Sequence, residues 1–189
     1  MLKLFLFSLS VLIMTGCQNI SPKVQTDQKT QSTQKKTTHV EAKKDMQKPK
    51  MHRMFQSVDK KDATLLQSGA NKEHCAICGM NLPMFYKTNH AAKVDGKSTQ
   101  YCSLHCMTEH INEGAELENP MVVDVSSLKF IPVTEAFYVV GSDVPGTMSR
   151  VSKYAFKHLE DAKRFQKEHG GKIVDFYSAW QIAKKDFKK

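Results

Sequence analysis

The sequence predicts an α+β fold made of two tandem ββαβ units that share one core. Short β-branched and aromatic runs alternate with helix-length amphipathic stretches, the pattern of mixed sheet-and-helix domains. The dipeptide Asp95-Gly96 sits between two such runs, where a tight hairpin turn belongs. A set of landmarks then recurs in the same order. Phe85-Tyr86, Tyr101 and Val123-Asp124-x-x-Ser127 are answered by Phe137-Tyr138, Tyr154 and Val174-Asp175-x-x-Ser178. The spacings are 16 and 23 residues in the first set and 17 and 21 in the second, which argues for a duplicated unit.

Residues 1–16 read as a lipoprotein signal. Lys3 supplies a positive start, and Leu4 to Met14 form an apolar run too short to span a bilayer. The run ends on Met14-Thr15-Gly16-Cys17, small residues before a cysteine, which resembles a bacterial lipidation site with Cys17 as the acylated residue. Several acyl chains anchor a protein stably where one does not. The expected location is the periplasmic side of a bacterial membrane, with Gln18 leaning towards the outer one. The alternative is an ordinary secretory signal. Residues 17–50 are Gln, Lys, Thr and Ser with few apolar residues, a composition that cannot offset the entropy of ordering. They read as a flexible tether, and 51–189 as the folded domain, with units at about 71–127 and 134–178.

Within the domain, Asp59 and Gly69 bracket an expected short helix. Asn71-Lys72-Glu73 leads as a loop to the first cysteine pair. A β-like run starts at Phe85 and reaches Val94, and Ser98 to Cys102 returns from the turn. A helix follows from Ser103 to near Gly114, and Met121 to Ser126 closes the unit as a strand. The second unit repeats this with Phe137–Val140, Val151–Phe156, a helix over about 159–169 stopped by Gly170-Gly171, and a closing run from Lys172 to Ser178. Trp180, Ile182 and Phe187 mark a terminal helix whose lysines complement its dipole.

The net charge of +9 is unevenly spread. Residues 18–50 carry eight lysines against Asp27, Glu41 and Asp45, a balance of +5. That stretch lacks aromatics and follows an export signal, so a tether near anionic lipid fits it and nucleic-acid binding does not.

The chemistry concentrates in His74-Cys75-Ala76-Ile77-Cys78-Gly79-Met80 and Tyr101-Cys102-Ser103-Leu104-His105-Cys106-Met107. Thiolate, thioether and imidazole are soft donors suited to Cu(I) or Zn(II). On a helical wheel Leu104, Met107 and Ile111 share one stripe, whereas Cys106 and His110 lie on another, off the expected core face. Ser103 as N-cap puts Cys106 in the first turn, where free amides favour a thiolate. His105 reads as exposed. His74, His90 and His110 are marginal ligands. Met80, Met84 and Met148 tip the choice towards copper, while a second cysteine pair about 24 residues on is spacing that suits a closed zinc site. In an oxidising compartment disulfides are the competing use of four cysteines. A redox role for Cys75-x-x-Cys78 is the other competitor, opposed by Gly79 and Pro83, which make a poor helix start. No nucleophile–base set, nucleotide loop or paired carboxylates stand in a motif, so catalysis is not expected.

Cys75-x-x-Cys78-Gly79-Met80, the strand Phe137-Tyr138-Val139-Val140-Gly141-Ser142, the loop with Met148, Tyr154-Ala155-Phe156 and Gly170-Gly171-Lys172-Ile173-Val174 together resemble the NosL family, lipoproteins associated with nitrous oxide reductase maturation. The resemblance covers about 71–178 and the signal. It implies paired ββαβ units and a Cu(I) chaperone that hands its cargo to the reductase or its membrane maturation complex. By position Cys75, Cys78 and Met80 match the family's Cys-Gly-Met motif, and Met148 its second-unit methionine. Tyr101 to Cys106 departs from it. With Cys102 and Cys106 this segment resembles half of a TRASH-type four-cysteine module, which implies zinc as the alternative metal. The full expected ligand set is Cys75, Cys78, Met80, Cys102, Cys106 and Met148.

Overall fold

The computed structural model describes residues 54–188. The signal, Cys17 and the tether lie outside them, as do His39, Met46, Met51 and His52. Among the described residues no helix is long and apolar enough to cross a membrane.

The first unit opens with a hairpin of β1 (His90–Val94) and β2 (Lys97–Tyr101). Asp95 and Gly96 both take positive φ, at 49° and 73°, the two left-handed residues that a tight twisted hairpin requires. Helix α1 (Leu104–Asn112) follows, and β3 (Glu118–Val123) returns antiparallel to β1. A short β4 (Phe130–Pro132) then adds to β3, giving the order β2-β1-β3-β4. The second unit has the same plan. Strands β5 (Phe137–Val140) and β6 (Lys153–Phe156) pair, α2 (Leu159–His169) crosses, and β7 (Lys172–Val174) joins β5 for the order β6-β5-β7. The two ββαβ units are therefore present, and the fold is α+β.

A single core joins them. Leu104, Met107 and Val122 of the first unit pack in one cluster with Tyr138, Val140 and Ala155 of the second. At the joint, His90 Nε2 lies 3.1 Å from the Tyr138 hydroxyl, both side chains wholly buried. Asp124, just past β3, accepts from the Lys157 amide at 3.0 Å, and the Val125 amide donates to Ala155 at 2.9 Å. A second cluster, with Tyr154, Phe156 and Phe165, fills the space between β6 and α2 and is capped by Phe55.

Several expectations change. The helix expected between Asp59 and Gly69 is only a 3-10 turn at Lys60–Asp62. Beyond it the chain is an extended strap whose amides find partners elsewhere: Thr64 on the Tyr86 hydroxyl and Leu66 on Gln100 Oε1, both at 2.9 Å. Phe85-Tyr86 does not begin a strand. It lies in a 3-10 segment, Pro83–Thr88, opened by a proline and tied down when Asn89 Nδ2 donates to the Phe85 carbonyl at 2.8 Å. The closing run from Lys172 breaks early, because Asp175 accepts from the Ser178 amide at 2.7 Å and starts helix α3 (Phe176–Lys184). Helix α3 packs against α1. The last turn places Asp186 and Phe187 on His105, with ring centroids of Phe187 and His105 4.4 Å apart. His105 is thus packed, not exposed.

Candidate metal centre

Four sulfurs arrive at one point from three pieces of backbone. Cys75 and Cys78 sit on a tight turn, in which Gly79, at φ 72°, reverses the chain so that its amide meets the Cys75 carbonyl at 3.0 Å. The Cys75 amide then donates to the Met80 carbonyl at 2.8 Å, and both thiols face inward. Cys102 follows β2, and Cys106 lies in the first turn of α1. The four Sγ atoms all lie within 4.8 Å of one another. Cys78 and Cys102 are 3.5 Å apart, and Cys102 and Cys106 3.7 Å. A tetrahedron of thiolates about 2.3 Å from a metal has edges of roughly 3.8 Å, so the donor set and its spacing fit a single soft ion.

All four are free thiols. Cys102 and Cys106 are wholly buried, Cys75 nearly so, and Cys78 half-buried. The helical-wheel reading put Cys106 off the core face. It is buried all the same, because the first cysteine turn packs over that side of α1. Such burial shields Cys102 and Cys106 from water and raises the cost of an uncompensated charge there.

Ionisation is uneven across the cluster. The Cys102 and then the Cys106 thiol facing Cys75, with the Cys78 and Cys102 amides, hold the Cys75 thiol far below its usual range against the opposing effect of burial. Cys106 moves up, first through Cys102, then through Cys75 and burial. Cys102 also ends high: Cys106 lowers it, but Cys75 and burial outweigh that. Thiols this close titrate as one unit, so the first proton lost belongs to the cluster and not to the helix position of Cys106 alone.

The other expected ligands are scattered. Met80 is half-buried against the same core. Met148 is 44% exposed, in a left-handed conformation at φ 59°. Its neighbour Thr147 bonds Thr88 at 2.8 Å, and Thr88 in turn donates to the Cys102 carbonyl at 2.8 Å, so the loop touches the cluster's support. His110 Nδ1 shares a hydrogen bond with the Tyr101 hydroxyl, 2.9 Å away. His90 belongs to the joint between the sheets, and His74 is exposed. Sequence reasoning missed the amides Gln67 and Gln100, which hold the first cysteine turn to β2. A lone glutamine in a polar stretch gives no signal by itself.

A family model described as NosL matches residues 67–181. No curated protein matches the chain. Among solved structures, the crystal structure of the copper chaperone NosL from Shewanella denitrificans is similar. Its identity is 22%, it covers 62% of this chain and 98% of that chain, and the TM-score is 0.48.

Proposed function

The chain belongs to the NosL family, and from that premise we propose that it is a copper-binding chaperone that carries Cu(I) outside the cytoplasm. The observation that supports this best is the convergence of four free thiols within 4.8 Å. Thiolates exchange soft cations by stepwise ligand replacement, and a partner sulfur can enter as one of the four leaves. Met80, beside the first pair, and Met148, on the loop that braces Cys102, are the thioethers proposed to favour Cu(I). The role is carriage and not conversion of a substrate. The proposed recipient is nitrous oxide reductase or its membrane maturation complex. The chain is proposed to sit on the periplasmic face, held by acylated Cys17, with the outer membrane favoured.

A zinc-stabilised module is the second reading. Its support is the near-tetrahedral sulfur spacing of 3.5 and 3.7 Å together with the burial of the site. Competition separates the two. The full chain, purified in detergent under reducing, anaerobic conditions, is titrated with Cu(I) and Zn(II) while free thiols are counted. A carrier binds Cu(I) tightly and yields it to an acceptor chelator with its fold intact. A zinc module unfolds when the metal is stripped. Cys75→Ser and Cys78→Ser are expected to abolish copper binding, and Met148→Leu to weaken it without unfolding. Wild-type affinity in all three would refute the ligand set.

A further inference from the structure

The two cysteine pairs are carried by different pieces of chain, so the gap between them must be set by whatever ties those pieces together. The first turn is closed on itself by the Cys75–Met80 and Gly79–Cys75 bonds. Its backbone tie to β2 is the Ala76 amide, which donates to the Gln100 carbonyl at 3.1 Å. Beside that bond stands one side chain. Gln67 Oε1 accepts from the Gln100 amide at 3.0 Å, while its Nε2 donates to the carbonyls of His74 at 2.6 Å, Asn71 at 3.2 Å and Lys72 at 3.3 Å. Gln100 returns the grip. Its Oε1 accepts from the Leu66 amide at 2.9 Å, and its Nε2 donates to the Thr64 carbonyl and to Asn89 Oδ1. Two glutamines thus clasp the strap, the residues leading into Cys75, and the strand leading into Cys102.

Their surroundings differ. Gln100 is wholly buried, whereas Gln67 lines an open groove of about 830 Å³ together with His74, Cys75, Gly79 and Ser98. The clasp therefore has a fixed half and a half that solvent or an incoming molecule can reach, and it stands on the side of the cluster where Cys75 meets the groove.

We propose that Gln67 is a positioning residue for metal retention: its amide holds the Cys75–Cys78 turn at the distance from Cys102 and Cys106 that lets all four sulfurs act on one ion. This rests on the metal-carrier reading above and adds the residue that sets how fast the cargo leaves. Gln67 touches no sulfur. It acts through the carbonyl of His74, one residue before Cys75. Residues that orient metal ligands from behind are worth about 10–100-fold in metal affinity. A loss of that size is expected here as faster release, with the ligand set unchanged.

The test uses the full chain in detergent, loaded with one equivalent of Cu(I) under anaerobic conditions and then given excess chromogenic Cu(I) chelator. Gln67→Ala and the isosteric Gln67→Glu should both load with the wild-type thiolate-to-copper absorption band, yet release copper about 10–100 times faster. The carboxylate of Gln67→Glu fills the same space and can still accept from Gln100, but it offers the three carbonyls no donor. Gln166→Ala is the control, because Gln166 makes a comparable amide bond to Gly171 in the second unit. It should release copper at the wild-type rate. Wild-type release from both Gln67 variants, or equal acceleration by Gln166→Ala, overturns the inference while leaving the carrier reading standing. Failure of the unmodified chain to bind copper overturns both.

Discussion

At the scale of single residues, burial and partner decide what each titratable side chain does. His90 is the clearest case. Burial, opposed by the Thr88 carbonyl and aided by nearby Lys153, holds its imidazole down at about 4. It is therefore neutral, with Nδ1–H donating to Thr88 O at 3.0 Å and Nε2 accepting from the Tyr138 hydroxyl. A folded-state value below the ordinary 6.5 means that the unfolded chain takes up a proton the folded chain refuses. Stability is full above 6.5 and is lost as the pH falls towards 4, with a ceiling of roughly 3 kcal/mol. Urea midpoints of the metal-free protein between pH 7 and 4 should fall accordingly, and His90→Gln should flatten that dependence. An unchanged slope in the variant would assign the pH dependence elsewhere. The four cysteines were legible in the sequence because soft donors at short spacing have few other uses. Gln67 and the packed state of His105 were not, because both depend on segments remote in the chain: β2 for one, the final turn for the other.

At the scale of elements, the duplication is real, but one of its landmarks was misaligned. Asp124 and Asp175 each stand one residue past the strand that follows the unit's helix, and each accepts from the amide of the serine three residues on, at 3.0 and 2.7 Å. The Val-Asp-x-x-Ser echo is thus a shared turn. Phe85-Tyr86 is different. His90 faces Tyr101 and Val122 across its two neighbours, as Val139 faces Tyr154 and Ile173, so His90 answers to Val139, and Asn89 rather than Tyr86 occupies the position of Tyr138. The matching aromatic pair is a coincidence of composition. Helix α2 was readable to its ends, since a strong apolar period stops at two glycines, whereas β4 has three residues and no period to read. The two aspartates differ in weight. Asp124 is buried, serves the Ser126, Ser127 and Lys157 amides, and links the units. Asp124→Ala should cost about 3 kcal/mol in urea unfolding, since it leaves several buried amides without their charged acceptor. Asp175 is exposed and caps one helix, so Asp175→Ala should cost clearly less. A reversed order would refute this account of the joint.

At the scale of the whole molecule, the sequence announced two units but not how far they depend on each other. The shared cluster places Tyr138, Val140 and Ala155 against Leu104, Met107 and Val122, so neither sheet has a complete core of its own. The strap adds to this, since Phe55 and Gln56 hold the second unit while Gln67 holds the edge of β2. Fragments 54–132 and 133–188 should each fail to melt cooperatively when followed alone by circular dichroism. A cooperative melt of 54–132 by itself would show that the cysteine-bearing unit is self-sufficient.

The final turn, seated on His105, bears on how the protein is handled. Proteolytic clipping after Lys184, or a bulky purification handle pressed against Phe187, would bare an imidazole one residue from Cys106. Clipped material would also lose the Asp186 carboxylate that faces Lys153, so a preparation trimmed at its end should melt below the intact chain.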